Sequence, residues 1–221
     1  MSYWEFLAEY LPKLASGALM TIGVMICATL LAAAISILFG LMRLSRNWAF
    51  QGPATVYIEF FRGTSLLVQL YWIYYVLPLM GLTLTPFVSG VLALGLNFGA
   101  YGAEIVRGGI QSVPRGQWEA ARALNLSVSQ QMRSIIIPQT FPIVLPPVAN
   151  LTVELLKATA LVALISAVDL MFVAKQINAT TWLSAQTFGT ALLIYYVMAR
   201  IALIPFLRWL EVLAARKVGK A

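Results

Sequence analysis

Charged and amide side chains set within apolar sequence are the residues of this chain with chemistry to perform. Glu154 lies near the end of a proline-rich apolar stretch, Lys157 follows one helical turn later, and Asn97 lies in another apolar stretch. An ionisable group at membrane depth is costly enough to mark a pathway or a partner. Glu154 and Asn97 offer an acceptor and an amide to a solute's ammonium or amidinium group. The competing readings are an ion pair from Glu154 to Lys157 at i, i+3 spacing and an interhelical hydrogen bond from Asn97. Tyr71, Trp72, Tyr74 and Tyr75 could form a wall for a cation, or an aromatic belt at the membrane surface. Glu104 and Arg107 repeat the i, i+3 spacing near a predicted span end and read as an ion pair at a gate. Asp169 either helps dock an external partner or caps a turn.

Other chemistries lack their residues. With no histidine and no acidic cluster, neither a metal site nor histidine-based activation of a nucleophile has candidates. No segment reads G-x-x-x-x-G-K-[ST], so the chain cannot cradle ATP itself, and energy for any pumping must come from a partner. The lone Cys27 lies in an apolar run and reads as a packing residue. The net charge of +7 comes from basic residues scattered between apolar segments, not from a stripe that would follow nucleic acid.

The elements that must position these groups are membrane helices. The chain is 61% hydrophobic and 10% charged, with mean hydropathy +0.84, too apolar to dress a water-soluble globule. A span needs about 20 apolar residues, so the expected fold is all-α and polytopic, a single membrane domain over 1–221 with about five transmembrane helices. The spans are expected near 16–41, 64–80, 87–105, 135–156 and 185–210. Residues 1–12 carry Glu5 and Glu9, lack the basic start of a cleaved signal, and read as a short helix on the membrane surface. The fourth span contains Pro138, Pro142, Pro146 and Pro147 and should be irregular. Residues 158–168 are apolar but short, which suggests a re-entrant segment.

Basic residues set the orientation. Arg43, Arg46, the arginines from Arg107 to Arg133, and Arg208, Arg216, Lys217 and Lys220 would share the cytoplasmic side, against Lys13 and Lys175 opposite. The expected topology is N-terminus outside and C-terminus cytoplasmic. Arg62 and Lys157 stand near segment ends, where they can snorkel.

The long polar connection, about 107–138, carries the most specific signal. It contains Glu119, Ala120 and Ala121, then Asn125, then Ile135, Ile136, Ile137 and Pro138. Ser127 and Gln130 have the spacing of a capping box, and asparagine is the usual second choice to glycine for a left-handed helix end, so two short helices at an angle are expected. The pattern resembles the EAA loop of binding-protein-dependent ABC importer permeases, with Asn125 where that family usually has glycine. The resemblance extends over nearly the whole chain through 57–64, 99–110 and 155–161, and is to the polar amino-acid branch. Asn125 with Ala158 and Ala160 resembles the ectoine and hydroxyectoine permeases of that branch.

This resemblance implies a type I ABC importer transmembrane domain that is not itself an enzyme. Residues 107–138 would form the coupling loop, with Glu119 as docking charge, Ala120 and Ala121 allowing close approach, and Asn125 and Pro138 shaping the turns. The implied partners are a dimer of ABC ATPase subunits that bind ATP and Mg, a second copy or homologous permease, an extracytoplasmic solute-binding protein, and membrane lipid; no nucleic acid is implied. Asn97, Glu154, Lys157, Tyr71 and Tyr75 become candidate residues of the solute path in a prokaryotic cytoplasmic membrane. An ion-coupled secondary transporter is the alternative function.

Overall fold

The computed structural model describes residues 2–218, with side chains described to 213, and every regular element among the described residues is helical. The basic tail residues Arg216, Lys217 and Lys220 lie outside the described side chains. Helix α1 (Tyr3–Arg43) begins at a capping box, in which the Ser2 hydroxyl accepts from the Glu5 amide and Glu5 reaches back to the Ser2 amide at 2.9 Å. It runs unbroken through Pro12 for 41 residues, roughly 60 Å. The expected surface helix is therefore the outer part of α1. Its Phe6 and Leu14 are fully buried against other helices, which holds the strand of helix upright despite the hydrogen bond lost at Pro12.

Small residues let α1 approach α4 (Pro86–Gln111) closely. Gly17, Ala18, Thr21, Ala28, Ala32, Ser36 and Gly40 form the buried stripe of α1. A Cβ on Gly40 would lie 2.9 Å from the Ala103 carbonyl, and the Ser36 hydroxyl lies 3.2 Å from the Gly99 carbonyl.

Between them come α2 (Trp48–Gly63) and α3 (Leu66–Tyr71), the latter continuing through a π turn (Trp72–Val76) and a 3₁₀ turn (Leu77–Met80). The α2 and α3 axes meet at 103°. The corner exposes backbone carbonyls that side chains must satisfy. Gln69 Nε2 donates to the Phe61 carbonyl at 3.0 Å and to the Thr64 hydroxyl at 2.7 Å, and Asn97 Nδ2 donates to the same Phe61 carbonyl at 3.0 Å.

After α5 (Arg115–Ala123), a long helix crosses as α6 (Val128–Gln131), a π turn (Met132–Ile136), α7 (Ile137–Ala158) and a 3₁₀ turn (Thr159–Ile165). The expected second short helix of the polar connection is thus the start of this crossing helix. The expected re-entrant segment is its 3₁₀ end, closed by Ser166 in the left-handed conformation. The π turn falls immediately before Pro138, where a missing N–H would otherwise interrupt the regular ladder. Helix α8 (Leu170–Thr181) folds back along α1. The chain ends in α9 (Ser184–Val197), a π turn (Met198–Leu203) and α10 (Ile204–Val218).

Among the described residues four helices, Tyr3–Arg43, Pro86–Gln111, Val128–Ile165 and Ser184–Leu213, are long and apolar enough to cross a bilayer, and the bent pair α2 and α3 makes up to five.

Candidate functional site

The polar connection is built as a rigid knob. Helix α5 closes with both hydrogen bonds of a Schellman motif: Asn125 N–H donates to the Arg122 carbonyl at 2.9 Å, and Leu126 N–H to the Ala121 carbonyl at 3.2 Å. Asn125 supplies the left-handed residue with φ 53°. Two residues on, the Ser127 hydroxyl accepts from the Gln130 amide, while Gln130 Oε1 accepts from the Ser127 amide at 2.9 Å. Between α5 and α6 the backbone is therefore capped on both sides of Leu126.

The knob is rooted in the membrane domain through apolar side chains. Buried Ile110, Val113 and Ile136 hold Trp118 of α5, with Leu44, Met132 and Ile135 packed around them. That cluster joins α5 to the ends of α1 and α4 and to the crossing helix. Trp118 was not singled out by sequence, although an aromatic residue three positions before buried Ala121 gives the inner face of a short helix. On the outer face Glu119 and Ala120 are exposed. So are Leu124 and Val128, at 72% and 73%, two apolar residues that nothing among the described residues covers.

Beside this knob, Arg107 Nη2 lies 2.6 Å from Glu104 Oε2, and its Nη1 donates to Gln111 at 2.9 Å. The pair belongs to a larger array. Arg43, at the end of α1, stands 4.0 Å from Glu104 and 3.8 Å from Glu59 of α2. Its position among basic residues gives Arg43 only a flanking role; in the structure it joins the end of α1 to Glu59, one turn before the end of α2, and to Glu104, two turns before the end of α4. Arg62 adds a cation 5.4 Å from the Tyr101 ring.

Glu154 and Lys157 lie apart from Asn97. They line a groove of about 480 Å³ between α7 and the last span, together with Asn150, Arg200, Arg208 and Glu211. No ion pair within 4.0 Å joins these charges among the described residues. Carboxylates and cations both line the groove, a surface costly to expose to hydrocarbon. Arg200 and Glu211 were not anticipated, since they come from a helix some fifty positions later in the chain and meet α7 only through tertiary packing. Asn97 is buried, and its amide donates to the Phe61 carbonyl and to Gln69 Oε1 at 3.1 Å, the interhelical bonding that was the competing reading. Tyr71 and Tyr75 are exposed on α3 and the following π turn, with ring centres 5.6 Å apart, and do not line the groove.

Asp169 caps α8. Its carboxylate accepts from the Phe172 amide at 2.8 Å and faces the Tyr195 hydroxyl at 3.4 Å, and burial pushes the carboxyl up to about 6.

Residues 32–219 match the family described as binding-protein-dependent transport system inner membrane component. The chain belongs to this family. It is 44% identical to a probable amino-acid ABC transporter permease of Sinorhizobium fredii, over 92% of this chain and 87% of that one. It is 36% identical to the arginine ABC transporter permease ArtQ of Haemophilus influenzae, over 88% and 90% of the two chains. Among solved structures it resembles an amino acid ABC transporter with histidines, at 35% identity and TM-score 0.88, over 96% of this chain and 98% of that chain. A methionine ABC transporter shares the fold at 17% identity and TM-score 0.78. The chain is accordingly an ABC importer permease subunit, a membrane component and not an enzyme, which works with a separate ATPase. Family membership sets aside the ion-coupled alternative.

Proposed function

We propose that this permease moves a polar amino acid inward across a prokaryotic cytoplasmic membrane, with its N-terminus outside and the α5 knob in the cytoplasm. The observation that carries the coupling role is the rooting of α5: an exposed Glu119–Ala120 face stands on a buried apolar cluster shared with α1, α4 and the crossing helix. ATPase subunits that bind ATP and Mg seat against this face, and their closure is delivered through Trp118. A second copy or a homologous permease covers the charged α7–α10 groove, and an external binding protein delivers the solute. Glu154 and Lys157 contact that solute. Asn97 holds the α2–α3 corner, and Glu104 with Arg107 and Arg43 ties the inner helix ends together.

A narrower reading, import of ectoine or hydroxyectoine, rests on Asn125 and on Ala158 and Ala160. The names of the relatives favour amino acids instead, including arginine and L-cystine. Purifying the tagged chain with its ATPase, second permease and binding protein, reconstituting the complex in lipid, and measuring ATPase stimulation by each solute separates the two. Stimulation by polar amino acids alone supports the broader class, stimulation by ectoines the narrower one, and no stimulation by either contradicts the proposal.

A further inference from the structure

The hairpin of α8 and α9 takes part in neither the knob nor the groove. Its turn holds Trp182 at φ 58°, ψ 16°, the left-handed region in which a bulky side chain is a steric outlier. The turn is nevertheless firmly bonded. Trp182 N–H donates to the Asn178 carbonyl at 2.9 Å, Leu183 N–H to the Thr181 hydroxyl at 3.3 Å, and the Ser184 hydroxyl to the Asn178 side chain at 2.8 Å. Glycine or asparagine would take this backbone more cheaply. Tryptophan holds it, and its side chain is 83% exposed, so packing within the chain does not account for the residue.

Helix geometry places this indole beyond the bilayer. The Leu170 amide donates to Thr21 at 3.1 Å, and a Cβ on Gly17 would lie 3.0 Å from Leu170. Further out, Phe6 and Leu14 share a buried cluster with Val173 and Ile177, so α8 runs antiparallel to α1 toward its start. The Tyr3 hydroxyl meets that of Thr190, two turns into α9, at 3.1 Å. Trp182 therefore stands level with the first turn of α1 or beyond it. Inward of an outer stretch that exposes Glu5, Glu9 and Lys13 beside Leu11, the exposed large apolar side chains on α1 run from Leu19 to Leu41, roughly 33 Å, matching a hydrocarbon core of about 30 Å. From Leu19 outward to Tyr3 is roughly 24 Å of further helix, more than a headgroup layer of about 5–8 Å can cover. Lys175, two turns inward of Trp182 on α8, is already exposed, and Trp4 is exposed in the first turn of α1 at the same end.

We propose that Trp182 is the anchor on which the extracytoplasmic binding protein docks. The inference rests on the topology and delivery step given under Proposed function. The occupant is a folded protein, because the indole projects past lipid and because this family of transporters depends on a binding protein. Tryptophan is the residue type most enriched at the energetic centres of protein interfaces, and a turn held rigid by three hydrogen bonds presents it without an ordering cost on docking.

The test uses the complete complex in nanodiscs, titrated with the binding protein that co-purifies with it, loaded with the solute that stimulates wild type. Trp182→Gly keeps the turn and removes the indole; it is expected to raise the half-saturating binding-protein concentration at least tenfold, with the maximal ATPase rate retained. Trp182→Phe should recover part of that loss. A photoreactive p-benzoylphenylalanine at 182 should crosslink to the binding protein. An unchanged half-saturation in Trp182→Gly, or crosslinks to lipid alone, overturns the docking role while leaving the importer reading intact. A wild-type complex that no binding protein stimulates overturns both.

Discussion

The α5 knob and the α7–α10 groove both present charge to the outside of the isolated chain, but they are built in opposite ways. At the knob the helix end is closed by a Schellman motif and a capping box, and apolar side chains fix the helix to three neighbours. In the groove, Glu154, Lys157, Arg200, Arg208 and Glu211 share about 480 Å³ with no ion pair within 4.0 Å among the described residues. A rigid surface suits a partner of fixed shape that must transmit force. A groove of unpaired charges suits a solute that must bind and leave, since permanent pairing would compete with it.

Breaking the knob should have the largest effect. Glu119→Lys is expected to remove solute-stimulated ATPase activity completely while leaving insertion and the Glu104–Arg107 array intact, measured in the reconstituted complex; stimulation at the wild-type level would show that the charge plays no part in docking. Trp118→Ala removes the root and leaves the surface. It should lower stability by about 2–3 kcal/mol, less than for a fully buried tryptophan because Trp118 is half-buried, and uncouple ATP hydrolysis from uptake, read as ATPase activity without solute accumulation. Retained coupling would mean that force passes by another route.

Glu154→Gln sharpens the other side of the comparison. It should raise the half-saturating solute concentration about tenfold, or ~1.4 kcal/mol, in uptake by proteoliposomes, with no change in assembly. A loss of assembly instead would assign Glu154 to the contact with the second permease.

Smaller effects come from single turns. Asn125→Ala should cost about 1 kcal/mol because alanine disfavours the left-handed conformation, whereas Asn125→Gly should be close to neutral; thermal unfolding in detergent distinguishes them, and equal losses would show that the asparagine side chain matters. Asp169 gives a pH dependence. Its folded carboxyl is raised to about 6 from an ordinary value of 3.8, so the folded state holds the proton more tightly than the unfolded chain. The carboxyl's contribution to stability is present below the unfolded value and is lost as pH rises from about 4 to about 6. Asp169→Asn should flatten melting temperature across that window; an unchanged slope would assign it to other groups.

Local signals were legible in the sequence where they are carried by neighbours along the chain. The Ser127–Gln130 capping box and the left-handed Asn125 needed only short-range spacing, and the positions of the spans followed from apolar runs. Features that depend on residues far apart were not legible. Asn97 looks like a pathway amide until the α2–α3 corner brings the Phe61 carbonyl to it. Arg200 and Glu211 join Glu154 only because α10 packs along α7. The continuity of α1 was hidden by Pro12, whose helix-breaking tendency is overridden by the burial of Phe6 and Leu14 on α8 and α9. The crossing helix likewise absorbed both the second half of the polar connection and the short apolar run, because its π and 3₁₀ turns accommodate the prolines and the helix end without a break.

The central claim is that α5 faces the ATPase while the α8–α9 hairpin faces the opposite side. Cys27 is the only native cysteine, so a Cys27→Ser background allows single cysteines at Ala120 and at Thr180, both exposed. Thiol crosslinking in intact membranes should join position 120 to the ATPase subunit and leave position 180 open to a membrane-impermeant reagent added from outside. Crosslinking of position 180 to the ATPase, or labelling of position 120 from outside, would contradict the account.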